Sequence, residues 1–382
     1  MKKLKMLFVT GSRGEWGYIR PILRLCKKTP DVEAQLCITN MHLLPDFGHS
    51  VEAIEKDGFK ADYKIYMSLD GYNHCTMVKS LGVFLSSLAD IIASNPPDWI
   101  ILAGDRGEQL MGAIIGAFCY IPVAHIQAGE LSGNIDGMTR HAIGKYCHLH
   151  LAANTDAAER LIKLGEEPFR VHMVGAPQLD ELVQGYYTKK DELTEKYSIC
   201  LDNGYILFVM HPTTEEFEKT AEQIKVTMQV LSKYDLPKIV ILSNNDAGSS
   251  MIREGIENNR YGDFFIFANL KREDYLGFLR HATCMVGNSS SGLLEAPTFK
   301  IPAVNLGRRQ HGRIRGINVI DVPFEKGKMM KAINKALSQE FRDKLNESCQ
   351  NPYGDGKSSE RILDLLLRTP VTDSLLVKNL TY

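Results

Sequence analysis

Met6-Leu7-Phe8-Val9-Thr10-Gly11-Ser12-Arg13-Gly14-Glu15-Trp16-Gly17 is the stretch on which the fold turns. Residues 6–9 form an apolar run without alternation, the pattern of a strand buried on both faces. A glycine-bearing turn follows, and 16–28 reads as a helix. The same unit then recurs. Strands are expected at 34–39, 98–103, 123–126 and 149–152, with helices at 109–118, 138–147 and 155–164. A second series starts afresh, with strands at 205–210, 238–242, 264–267, 284–287, 303–306 and 319–322 and helices at 214–234 and 272–280. Such alternation predicts an α/β protein, with parallel sheets covered by helices on both faces. The polar, charged stretch 181–203 is read as a junction between an N-terminal domain, 1–180, and a C-terminal domain, 204–357. A terminal helix and tail, 358–382, completes the chain. In sheets of this kind ligands gather at the carboxyl ends of the strands.

Composition narrows the function classes. The 382 residues carry 45 Lys and Arg against 46 Asp and Glu, and 44% are hydrophobic. This is an ordinary globular balance, which excludes disordered, collagen-like and disulfide-scaffold proteins. A net charge of −1 gives no basic face for a nucleic-acid partner. The eight cysteines are scattered without a C-x-x-C pair, so no cysteine metal site is expected and a reducing, cytoplasmic setting is. The short apolar run before Gly11 is read as a strand, not a leader. No stretch is expected to reach the roughly 18–20 apolar residues that span a membrane.

Chemistry-bearing residues cluster after the strands. Arg13 lies in the first glycine turn, where backbone N–H groups hold anions. Asp105 and Arg106 stand side by side after the strand 98–103. The loop and helix 125–145 are densest, with Glu130, Asp136, Arg140 and His141 among four glycines. His211 ends the first strand of the second series, ahead of Pro212. Ser289, Ser290 and Ser291 form a small-residue turn suited to phosphate, with Glu295 one turn further on. Arg308, Arg309 and Arg313 follow the strand 303–306. His125, His141 and His148 lack the spacing of a metal motif, and no metal or cofactor is expected.

Taken in order, Thr10-Gly-Ser-Arg-Gly-Glu-Trp-Gly, Gly104-Asp-Arg, Gly129-Glu-Leu-Ser-Gly-Asn-Ile-Asp, Arg140-His-Ala-Ile-Gly-Lys, His211-Pro-Thr-Thr, Asn245-Asp-Ala-Gly-Ser, Gly287-Asn-Ser-Ser-Ser-Gly and Gly307-Arg-Arg-Gln-His-Gly-Arg resemble the hydrolysing UDP-N-acetylglucosamine 2-epimerase family. The resemblance implies a GT-B-like fold, two Rossmann-type domains around a central cleft. It implies a UDP-sugar substrate, a homodimer or homotetramer, and a role in sialic or nonulosonic acid synthesis. It implies loss of UDP from C1 with removal of the C2 proton, hydration of the glycal, and release of the free 2-epimer. Asp105, Glu130, Asp136 and His211 become the acid/base candidates. Arg13, Arg106, Arg140, His141, Ser289, Ser290, Ser291 and Arg313 become phosphate and sugar contacts, and Glu295 the ribose contact. Two positions depart from many relatives, Gln127 where they carry Glu and Gly137 where they carry a second acid. A non-hydrolysing epimerase, a GT-B glycosyltransferase and a UDP-sugar-binding protein without turnover share parts of the pattern.

Overall fold

The computed structural model describes residues 3–45, 50–69, 74–131, 135–243, 248–259, 263–268, 270–379 and 381; the side chains of His74, Ile135, Asp136 and Thr214 also fall outside the description. The chain divides into two units, Met1–Asp180 with Tyr353–Tyr382, and Glu181–Pro352.

The first unit is a seven-stranded sheet of β1 (Leu4–Thr10), β2 (Val32–Thr39), β3 (Tyr63–Ile65), β4 (Trp99–Ala103), β5 (Val123–Ala128), β6 (Leu149–Ala152) and β7 (Val171–Met173). Every pairing is parallel, in the order β3-β2-β1-β4-β5-β6-β7. The second unit holds β8 (Ile206–Val209), β9 (Lys238–Ile241), β10 (Phe264–Phe267), β11 (Cys284–Gly287), β12 (Ala303–Leu306) and β13 (Val319–Val322). They pair in parallel in the order β10-β9-β8-β11-β12-β13. Each sheet therefore reverses its winding once, between β1 and β4 and between β8 and β11. The central strands β4, β8 and β11 are buried throughout and β1 from Met6 onward, which is why they read as unbroken apolar runs.

Several features differ from the sequence expectation. The helix His74–Ser94 was not foreseen, and its segment Cys75–Ser94 is long and apolar enough to cross a membrane by length and composition. It packs on the first unit through Phe84, Leu88 and Ile92, one apolar residue per turn. The short strands β3 and β7 also went unseen. The expected single helix 214–234 breaks at Glu216, giving a 3-10 segment, Thr214–Lys219, and the helix Thr220–Leu231. Last, the terminal helix Ser358–Arg368 is not a separate piece. Its Ile362, Leu363 and Leu366 enter the core of the first unit beside Trp16 and Ile19. Its N-terminus is capped from afar: the buried Asp180 carboxylate accepts the N–H of Ser358 (3.0 Å) and Ser359 (2.6 Å).

Candidate functional site

In both units the candidate residues collect where the sheet reverses, the place at which open α/β sheets bind ligands. Consider first the turns after β1 and β4. Ser12 caps the helix Arg13–Cys26 in a capping box with Glu15, so the helix starts three residues earlier than expected and takes Arg13 as its first, exposed residue. The Glu15 carboxylate accepts the N–H of Gly11 (2.5 Å) and of Ser12 (3.1 Å). A Cβ at Gly11 would lie 2.1 Å from the Glu108 carboxylate, so any larger residue there must displace the Glu108 side chain. Burial, and then the neighbouring Glu108 carboxylate, hold Glu15 well above the usual carboxylate range. Arg106 leans on Glu108 (3.6 Å), which also accepts from Asn40 (3.1 Å). The buried pair Glu15 and Glu108 was not among the sequence candidates. Both stood in quoted motifs, but nothing in the spacing showed that β1 and β4 would be neighbours.

Asp105 follows β4 and is ion-paired with Arg140 of the helix Ile135–Tyr146. Arg140 is buried, and its other Nη donates to the Gln127 carbonyl (2.6 Å). That carbonyl is presented by an unusual backbone. Gln127 has φ +62°, and the β5–β6 register slips beside it. A left-handed non-glycine residue costs of order 1 kcal/mol and tends to mark a site. The Gln127 amide donates to Gln178 (3.3 Å). Two residues on, Gly129 has φ +75° and would strike the Ala157 carbonyl with any Cβ, at 2.4 Å. This turn delivers Glu130, buried and hydrogen-bonded by Asn154, which in turn caps the helix Thr155–Lys163. Asp105, Arg140 and Glu130 thus form one electrostatic group. His125 beneath them donates to the Gly104 carbonyl (2.6 Å), and burial pushes its imidazole down to about 3. Half-buried His141 is also lowered by burial, then by the Arg140 charge. The side chain of Asp136 lies outside the described residues, as do Ser132, Gly133 and Asn134.

The second unit repeats the plan at β8 and β11. Here Asn288 organises the turn. Its carboxamide accepts the His211 N–H (2.7 Å) and donates to the His211 carbonyl (2.8 Å). Its own carbonyl accepts from Gln310 (2.9 Å) and Arg309 (3.2 Å). One residue earlier, a Cβ at Gly287 would meet the Val209 carbonyl at 1.9 Å, so glycine alone lets β8 and β11 approach. His211 Nδ1 is buried with no hydrogen-bond partner among the described residues. Burial, with the Arg309 charge beside it, lowers His211 to about 3. It is therefore a neutral imidazole at physiological pH.

Ser289, Ser290 and Ser291 follow, all partly exposed, at the start of a single short turn of helix, Ser291–Leu294. Glu295 is buried and ion-paired with Arg272, while its Oε2 has no hydrogen-bond partner among the described residues. Arg313 donates to Gln310 (3.2 Å), and Arg308 leans on Glu216 (3.4 Å). Asn288 and Arg272 were missed as organisers. Asn288 stood in a quoted motif, but Arg272 carried no local signal at all. Of the Asn245-Asp-Ala-Gly-Ser stretch, Asn245, Asp246 and Ala247 lie outside the described residues.

Comparisons with known proteins identify the family and the fold. The family model for UDP-N-acetylglucosamine 2-epimerase matches residues 24–367. The chain is 35% identical over 375 residues to UDP-N,N'-diacetylbacillosamine 2-epimerase (hydrolyzing) of Legionella pneumophila, covering 98% of each. It is 34% identical over 354 residues to polysialic acid biosynthesis protein P7 of Escherichia coli, covering 91% of this chain and 90% of that one. In structure it is similar to UDP-GlcNAc 2-epimerase from Neisseria meningitidis bound to UDP-GlcNAc, with TM-score 0.83, 19% identity, and coverage of 96% of this chain and 100% of that one. The fold is GT-B-like, two Rossmann-type parallel-sheet units. On this match, the chain belongs to the UDP-N-acetylglucosamine 2-epimerase family.

Proposed function

We propose that this protein is a hydrolysing 2-epimerase acting on a UDP-2-acetamido sugar, releasing UDP and the free 2-epimer. The observation that carries this reading is the group Asp105–Arg140–Glu130 at the reversal of the first sheet, in which Arg140 and Glu130 are buried and Asp105 is partly exposed. Removing a weakly acidic C2 proton and returning one to the opposite face needs two positioned carboxyl groups. Arg140 holds one of them, Asp105, in place through an ion pair.

The reaction balances as follows. The C2–H bond breaks with its proton passing to a carboxylate, the C1–O bond breaks with its electron pair leaving on UDP, and a glycal forms. Water adds its hydroxyl at C1, and a second acid returns a proton to the other face of C2. Arg106, Arg13 and the serine turn 289–291 are the groups we assign to the diphosphate, whose charge grows as it leaves. Glu295 is assigned to the ribose: Arg272 is ion-paired with one of its oxygens, and the second is left to accept from hydroxyls. Neutral His211 serves as a hydrogen-bonding and proton-relay group, because a charged imidazole is disfavoured there. The relative from Legionella pneumophila, named for a diacetamido sugar and for hydrolysis, supports the hydrolysing form and a substrate of that class. Asp136 remains a second acid in this proposal.

The test is a product analysis. UDP-N-acetylglucosamine and its 2,4-diacetamido-trideoxy analogue are each incubated with the protein. The reading expects free UDP plus a free 2-epimerised sugar from one of them, with one solvent deuterium at C2 when run in D2O. A product still attached to UDP would assign the non-hydrolysing reaction instead, and tight UDP-sugar binding without any product would assign a binding protein.

A further inference from the structure

We propose that Lys378, near the end of the chain, is a positioning residue for Arg140: it braces the carboxyl end of the helix Ile135–Tyr146 and so fixes Arg140 against Asp105. The inference rests on the functional reading above.

Every helix ends in carbonyl oxygens that its own amides do not satisfy. A lysine in the last turn commonly donates to them. In the helix Ile135–Tyr146 that lysine is turned elsewhere: Lys145 donates to the Leu164 carbonyl (2.5 Å) and to the Glu166 carboxylate (2.9 Å). The carbonyls of Gly144 and Lys145 accept instead from Lys378 Nζ, at 2.7 and 3.3 Å, from 234 and 233 positions away. The same ammonium pairs with Glu166 Oε2 (2.7 Å), so its three acceptors match its three donors. Glu166 is itself buried and also bonded to His150 of β6 (2.9 Å). It therefore ties the helix, the sheet and the tail together. A cation at this end also faces the negative pole of the helix.

The tail is held so as to present this lysine. Thr372 caps a short helix, Asp373–Leu376, and Leu375 enters the core of the first unit. Arg170, wholly buried, donates to the carbonyls of Leu375, Ser374 (2.7 Å) and Val377 (3.0 Å), and pairs with Glu167 (2.7 Å). A guanidinium committed to three carbonyls of one segment fixes the path of that segment, and Lys378 is its next residue.

The brace bears on the site because Arg140 stands one helical turn before Gly144. Its guanidinium must meet two points on other elements, the Gln127 carbonyl and the Asp105 carboxylate. A shift of the helix end is carried to both contacts, and a misplacement of about 1 Å at a reacting centre costs about 10²-fold in rate. A lysine that served stability alone would lower the thermal midpoint and leave the turnover of the folded protein unchanged.

The experiment compares the full-length wild type with Lys378→Met, Arg140→Lys and the double variant. The readouts are kcat for UDP release, the calorimetric Kd for UDP, and hydrogen exchange by mass spectrometry. Lys378→Met keeps the side-chain length, and Glu166 keeps Lys145 and His150 as partners. It should lower kcat about tenfold while the Kd for UDP changes by less than about twofold. Exchange should quicken in peptides covering 138–147 and stay as it was in the second unit. In the Arg140→Lys background the added loss should shrink to about twofold or less, because two residues acting through one contact are not additive. An unchanged kcat overturns the proposal, as does a full tenfold loss in both backgrounds, a loss carried by the Kd for UDP, or helix exchange that does not respond. Exchange is read without substrate. A chain that turns over neither sugar nucleotide therefore removes the functional reading, while the exchange result still decides whether Lys378 braces the helix.

Discussion

Acid should unfold the first unit well before ordinary carboxylate titration begins, and its histidines give the size of the effect. Burial lowers His42, His148 and His150 to about 4, and His125 to about 3. All four lie in the first unit. In the unfolded chain each titrates near 6.5. A histidine with a lowered folded pKa contributes stability above the unfolded value and loses it as pH falls, because the unfolded state binds more protons. Between pH 7 and 5 each of the four removes about 2 kcal/mol, and together they remove about 7 kcal/mol. Glu15 and Asp180 work the other way. Burial raises both, so the folded state binds protons there more readily than the unfolded chain does, and these offset at most two of the four. The net slope is therefore about 2–5 kcal/mol per pH unit near pH 5, set against a total stability of about 5–15 kcal/mol. The chain's two tryptophans, Trp16 and Trp99, are both buried in this unit, so their fluorescence reports it selectively. Urea titrations followed by that fluorescence should show the midpoint falling steeply from pH 7 to 5, and His150→Gln should flatten the slope by about 1 kcal/mol per pH unit. A midpoint that is constant or rises over that range would refute the reasoning.

Other outcomes follow from the site. Asp105→Asn and His211→Ala should each lower kcat by about 10²-fold or more, the range for a lost acid/base group, in steady-state assays of UDP release. Because His211 is already neutral, the kcat profile should show no ionisation near pH 6.5 that disappears in His211→Gln. Glu295→Ala should raise the calorimetric Kd for UDP more than it slows turnover, and an unchanged Kd removes the ribose role. Asp180→Ala should destabilise the first unit by about 2–4 kcal/mol through the two lost N–H acceptor bonds, seen as a lower thermal midpoint. EDTA should leave activity intact.

The central strands and the turns behind them were legible because strands buried on both faces leave unbroken apolar runs. Glycines such as Gly11, Gly129 and Gly287 stand where a Cβ would collide with a neighbour. What escaped was the pairing across the chain. That Glu15 and Glu108 would be neighbours depends on β1 lying beside β4, a fact of sheet order and not of local pattern. The Asp180 cap on Ser358 and Ser359 joins positions far apart in sequence, so no capping signal sits before that helix. The helix His74–Ser94 was passed over because its apolar residues run all round it, which blurs the one-sided periodicity that marks a surface helix.

The return of the helix Ser358–Arg368 to the first unit has a consequence for synthesis on the ribosome. Residues 181–352 form one continuous run and are whole as soon as they emerge. The first unit, although its strands emerge earlier, lacks Ile362, Leu363 and Leu366 from its core until the chain beyond residue 352 has been made. The part made first is therefore finished last. A nascent chain stalled before residue 353 should carry a protease-resistant second unit behind an N-terminal half that is still open to cleavage.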